Sequence, residues 1–152
     1  MAEAVKYPYS LKFSIANIVM MLLLMMLLFS NVMKTNTLLT WLIFAAFALI
    51  FIFMVGLLTT KRLVPALKGE IALELTDEVL IDYIRNITIN WMDIKSIKRQ
   101  RGRSASTLII DLKWESDYGR QIAIPLRWVK GKDAEIYEMV SAYFEQNGNL
   151  LN

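Results

Sequence analysis

The chain has 152 residues, 56% of them hydrophobic and 20% charged, with a net charge of +3 and neither cysteine nor histidine. That composition excludes disulfides, thiol nucleophiles, Cys/His zinc sites and the commonest general base, and leaves carboxylates, lysines, tyrosines and hydroxyls for any chemistry. The charges are also segregated: none falls from Phe13 to Met33 or from Thr35 to Thr60, whereas 14 basic and 13 acidic residues follow from Lys61 onward.

The first two predicted elements are apolar helices, "FSIANIVMMLLLMMLLFSNVM" over 13–33 and "LLTWLIFAAFALIFIFMVGLL" over 38–58, each of 21 residues. About 20 apolar residues cross a hydrocarbon core as a helix, so both qualify as spans. The second holds 14 Leu, Ile, Phe and Val residues. These favour insertion by about 4 to 8 kcal/mol. Lys6 and Lys12 ahead of the first span suggest a signal peptide, but "FSNVMKTN" offers no small-residue cleavage pattern and the apolar run is long. The polar "KTNT" between the spans fits a tight antiparallel hairpin.

Flanking charge predicts the orientation. Lys6, Lys12, Lys61, Arg62 and Lys68 flank the outer ends, and Lys34 stands alone in the turn. Both termini are therefore expected in the cytoplasm, with the chain crossing its membrane twice. Tyr7, Tyr9, Trp41, Lys61 and Arg62 are the expected membrane-interface residues. Asn17 is expected to hydrogen-bond the neighbouring helix or headgroups. The methionines of the first span are expected to pack, and the lack of charges inside the spans argues against a transporter.

After Leu58 the apolar period changes from helical to alternating. "IALEL" aligns Ile71, Leu73 and Leu75; "VLIDYI" aligns Val79, Ile81 and Tyr83; "ITINW" aligns Ile87, Ile89 and Trp91. "SIKRQRGR" follows as a strand with Gly102 and Ser104 loosening its outgoing turn. "TLIIDLKW" aligns Leu108, Ile110, Leu112 and Trp114, and "QIAIPL" aligns Ile122, Ile124 and Leu126. Such alternation predicts half-buried antiparallel strands. Asp133 is a candidate N-cap for a closing amphipathic helix carrying Ile136, Val140, Tyr143 and Phe144, with Gly148 as its stop. The expected division is an N-terminal flank and hairpin over 1–62, a linker over 63–69 and an α+β domain over 70–152. From Leu58 to Glu70 an extended tether would reach at most about 40 Å.

"LELTDEVLIDY", "ITINWMDIKSI" and the terminal helix together resemble a family of small, mostly uncharacterised bacterial membrane proteins. These have two N-terminal spans and a cytoplasmic domain like the pleckstrin-homology (PH) fold. The resemblance implies an antiparallel, partly closed barrel of about six strands capped by the C-terminal helix, in which Trp91 ends one strand and Asp93-Ile94 turn the chain into the next. It implies an address, a bacterial inner membrane, but no settled activity.

The densest charge lies in Lys95, Lys98, Arg99, Arg101 and Arg103, the candidate ligand- or lipid-binding residues. One alternative is a solvated strand edge whose cations block edge-to-edge pairing. Another is docking on an anionic leaflet, where each cation contributes about 1 kcal/mol within a Debye length of roughly 10 Å. No carboxylate pair has the spacing or apolar setting of acid–base work, and no glycine loop cradles phosphate. A non-enzymatic membrane protein without cofactors or metal is therefore expected, with membrane lipids, another membrane protein or itself as partner and no nucleic-acid polymer. The competing expectation, by architecture, is a two-span defence effector whose β-rich domain senses a small nucleotide and whose hairpins permeabilise the membrane. A third is an accessory subunit packed against a larger membrane protein.

Overall fold

The computed structural model describes residues 4–35, 37–103 and 105–148; Asn36 of the polar turn and Ser104 of the loosened strand turn lie outside them. The chain forms two compact units. One is Leu11–Lys68, and the other combines the residues up to Ser10 with those from Gly69 onward.

The helical unit is an antiparallel pair, α1 (Leu11–Thr35) and α2 (Leu38–Leu58). Both helices are long and apolar enough to cross a membrane. No residue of α2 is buried, and Leu38 and Leu49 stand 79% and 70% exposed. A helix apolar on every face yet uncovered is not the core helix of a globular unit. Thr37 caps α2 by accepting the Thr40 N–H, and Phe29 of α1 meets Trp41 and Phe44 of α2 at ring distances of 6.3 and 5.7 Å. Asn17 bonds within its own helix, donating to the Phe13 carbonyl at 2.8 Å, rather than to a neighbour. Beyond α2 the helix does not relax into the expected linker. It passes through a π-helical turn, Thr59–Leu63, into α3 (Val64–Lys68). Pro65 has no N–H to return to the helix, and the wider turn just before it is where the regular ladder is interrupted.

Among the described residues the other unit has seven strands where six were expected. β1 (Val5–Pro8) precedes the helical hairpin and pairs antiparallel with β2 (Ile71–Leu75), matching Val5 to Leu75 and Tyr7 to Leu73. Residues 4–10 thus belong with the sheets and not with the hairpin. β3 (Val79–Asp82) and β4 (Ile87–Asn90) complete a four-stranded sheet in the order β1-β2-β3-β4. β5 (Ile94–Arg101), β6 (Ser106–Ser116) and β7 (Gly119–Pro125) form a separate three-stranded sheet. The segment after β7 returns to β1: Lys130 N–H donates to the Pro8 carbonyl, Ser10 N–H to that of Trp128, and Tyr9 bridges Val129. The hydrogen-bonded ladders nonetheless form two antiparallel sheets, of four and three strands, and do not close into one.

The core lies between the sheets and under α4 (Asp133–Asn147). Leu73, Leu75, Leu80, Ile94, Leu108 and Ile110 are fully buried, and Ile136 and Val140 of α4 join them. β4 ends at Asn90, and Trp91 sits one residue beyond it, in a 3-10 turn over Trp91–Asp93 that carries the chain from β4 to β5. Its Nε1 donates to the Thr76 carbonyl at 2.8 Å, and its ring lies 6.0 Å from that of Tyr143.

Two expectations about facing were inverted. In β3 it is Leu80 and Asp82 that are buried, opposite Ile89 and Ile87, while Tyr83 is exposed. The Asp82 carboxylate is satisfied locally, accepting from Ile84 N–H and from Arg85 Nε at 2.9 Å, and this folds the turn into β4. Asn86 supplies the left-handed residue of that turn, at φ 57°. At the far end of β6, Trp114 is 73% exposed because the β6–β7 register shifts between Asp111 and Ser116. Asp133 opens α4 without capping it, since Lys132 holds the N-cap position; its carboxylate instead accepts the Ser106 N–H.

Candidate functional site

The five basic residues of β5 and its outgoing turn do not converge. Alternation sends Lys98 to the outer face of the three-stranded sheet, where its Nζ lies 3.0 Å from Asp111 Oδ2. Arg99 turns the other way and lies 5.6 Å over the Tyr137 ring of α4. Arg101 and Arg103 are exposed where β5 ends, and Lys95 is exposed at its start. Lys95 and Arg101 are six residues apart, about 20 Å along an extended strand, too far for one small ligand.

What the fold gathers instead is a groove of about 480 Å³ on the outer face of β5–β7, lined by Lys95, Ser96, Lys98, Asp111, Lys113, Arg120 and Gln121. Lys113 and Arg120 were not singled out from sequence, because they lie on other strands and only pairing brings them beside β5. Asp111 organises the groove. It accepts from Ser96 Oγ at 2.7 Å, Gln121 Nε2 at 2.8 Å and Lys98 Nζ at 3.0 Å. Those hydrogen bonds, from Ser96 first, then Gln121 and Lys98, hold its carboxyl well below the usual carboxylate range. The groove therefore carries four cations against one firmly ionised carboxylate.

The expected interface residues divide between the units. Tyr9 is 8% exposed and bridges Val129, while Tyr7 is half-buried opposite Leu73, so both tyrosines pack within the sheet unit. Burial, followed by Glu135 and Tyr143, raises the Tyr7 phenol. Trp41 lies in the first turn of α2, and Lys61 and Arg62 lie in the π turn.

A second concavity, about 240 Å³, opens between β4 and the β6–β7 hairpin. Its floor includes Ile89, Leu112 and Ile122, its walls Trp114 and Tyr118, and its charged residues are Asp93, Glu115 and Asp117. Sequence alternation hid it by assigning Trp114 to the core. No protein-family model matches the chain, and no curated protein or solved structure is significantly similar to it.

Proposed function

We propose that this is a non-enzymatic membrane-anchored protein whose sheet unit is a PH-like module, held against the inner face of a bacterial membrane for protein and anionic-lipid contacts. The observation that carries the proposal is the insertion of the apolar hairpin between two paired strands, β1 and β2. Ser10 precedes the first residue of α1, and Gly69 follows the last residue of α3. Through these direct chain connections, a hairpin in the bilayer would tether the module to the membrane. Apart from the helical segment inserted between β1 and β2, four strands, then three, then a C-terminal helix is also the element order of a PH fold, and β1 brings the strand count to seven.

The groove of Lys95, Lys98, Lys113 and Arg120 is the surface suited to phosphate-bearing headgroups. Three cations near an anionic leaflet would contribute on the order of 3 kcal/mol, enough to orient a module that is already anchored. The test uses the sheet unit with the hairpin replaced by a short loop. It should sediment with anionic vesicles, lose that binding as salt rises, and lose it when the four cations become glutamine. Equal sedimentation with neutral vesicles, unaffected by the substitutions, refutes lipid docking.

A further inference from the structure

The cleft beside Trp114 has a complement on the same molecule. Glu115 and Asp117 stand at the β6–β7 end of the three-stranded sheet, with Asp93 in the same cleft. Arg101 and Arg103 stand where β5 hands over to β6, at the opposite end. The two ends are separated by the 11 residues of β6. That is about 35 Å, beyond any contact within one chain. Among the described residues, none of these five charged groups takes part in a salt bridge.

The acidic end also presents Trp114 and Tyr118 at 73% and 55% exposure, the two most exposed aromatic residues of the sheet unit. An indole face beside carboxylates, over an apolar floor, favours a guanidinium: the carboxylates accept its N–H groups and the ring attracts its charge. Lys95, Lys113 and Arg120, the nearby cations, line the outer-face groove and not this cleft.

We infer that the cleft of Trp114, Tyr118, Glu115 and Asp117 receives Arg101 and Arg103 of a second copy of this chain, joining copies head to tail. Such a contact is heterologous, so each copy offers one cleft and one arginine end to its neighbours, and the assembly is a ring where it closes and an open row where it does not. Anchoring in one membrane, as proposed above, supplies the high local concentration that a small charged interface needs. The inference rests on that anchoring but not on lipid docking, whose groove uses other residues.

The experiment uses the full chain, whose lack of cysteine makes introduced thiols unique. Copies carrying Arg103→Cys and Asp117→Cys are expressed together, and membranes are oxidised before detergent is added. A mixed disulfide should form well above the self-disulfide of either copy alone. In a second arm, two differently tagged copies are co-purified in mild detergent. Changing Arg101 and Arg103 to Glu in both, or Glu115 and Asp117 to Arg in both, should lower recovery about tenfold through like-charge repulsion. Recovery should return when each copy carries one of the two reversals. A mixed disulfide no more abundant than the self-disulfides, or co-purification indifferent to both reversals, overturns the inference. Membrane fractionation of the same cells reports the anchoring separately.

Discussion

The backbone N–H of Tyr9 donates to the carbonyl of Glu70 at 3.0 Å, so residues on either side of a 58-residue helical segment are neighbours in one sheet. This bond extends the β1–β2 ladder to the point where the chain leaves for α1 and returns from α3. The chain therefore departs and re-enters at one place, and a hairpin crossing a bilayer must have both ends on one side of it.

The same pairing makes the N-terminal residues part of the fold. A polypeptide beginning at Gly69 leaves the β2 edge unpaired and removes Tyr7 and Tyr9 from the packing. Joining residues 4–10 to 69–148 through a short Gly/Ser loop should give a soluble unit with a cooperative urea transition. The fragment lacking residues 4–10 should aggregate or unfold without cooperativity. Circular dichroism of the two side by side decides the point, and equal cooperativity would remove β1 from the account.

Trp91 ties three elements together, through its bond to Thr76, its contact with Tyr143 and its place in the β4–β5 turn. Trp91→Ala should cost the joined unit about 3–5 kcal/mol, since a large side chain is removed from a packed core. Trp91→Phe keeps most of the ring but loses the donor to the Thr76 carbonyl, and should cost about 1–3 kcal/mol. Urea midpoints measure both.

Asp82 is a fully buried carboxylate whose partners come from its own turn. Asp82→Ala strands the Ile84 N–H and releases Arg85, and should cost about 3 kcal/mol. Arg85→Gln should cost less, about 1–2 kcal/mol, because the arginine is itself one-third exposed and partly screened. The double variant should lose less than the sum, and strict additivity in that cycle would show that the two side chains are not coupled.

The Asp111 cluster predicts a pH dependence with a definite sign. Its carboxyl is held below the usual range in the folded state, so ionisation there favours folding. The contribution is present in full above the ordinary carboxylate value and is lost only as pH falls through the lower folded value. Wild type should therefore exceed Asp111→Asn in stability at neutral pH, with the difference shrinking in strong acid. Ser96→Ala should raise the Asp111 titration midpoint, which carboxyl NMR reads directly. An Asp111 that titrates at the ordinary value in both proteins would contradict the hydrogen-bonded arrangement.

Much of the architecture was legible in the residues. The two long apolar helices announce themselves by uninterrupted apolar sequence, and β2, β4 and β6 by alternation that the packing largely respects. What failed did so for physical reasons. β1 has four residues, and its partner lies beyond the whole hairpin, so no local pattern marks it. In β3, Val79, Ile81 and Tyr83 offered the more apolar face, but Asp82 could be buried because Arg85 and the Ile84 N–H satisfy it. A register shift that only the partner strand defines moves Trp114 out of the core. The basic stretch looked like one site because it is contiguous in sequence. A strand sends successive residues to opposite faces, so Lys98 and Arg99 meet different neighbours and the groove draws Lys113 and Arg120 from elsewhere.

The most direct test of a membrane hairpin whose two ends share one side is cysteine accessibility in intact bacteria. Single cysteines replace Lys34 at the end of α1, Lys6 in β1 and Asp77 in the β2–β3 turn, in a chain with no native thiol. A membrane-impermeant maleimide should label Lys34→Cys in whole cells, and should reach Lys6→Cys and Asp77→Cys only after the membrane is opened. Whole-cell labelling of Lys6→Cys or Asp77→Cys, with Lys34→Cys protected, would place the module on the opposite face; labelling that separates Lys6→Cys from Asp77→Cys would contradict the hairpin itself.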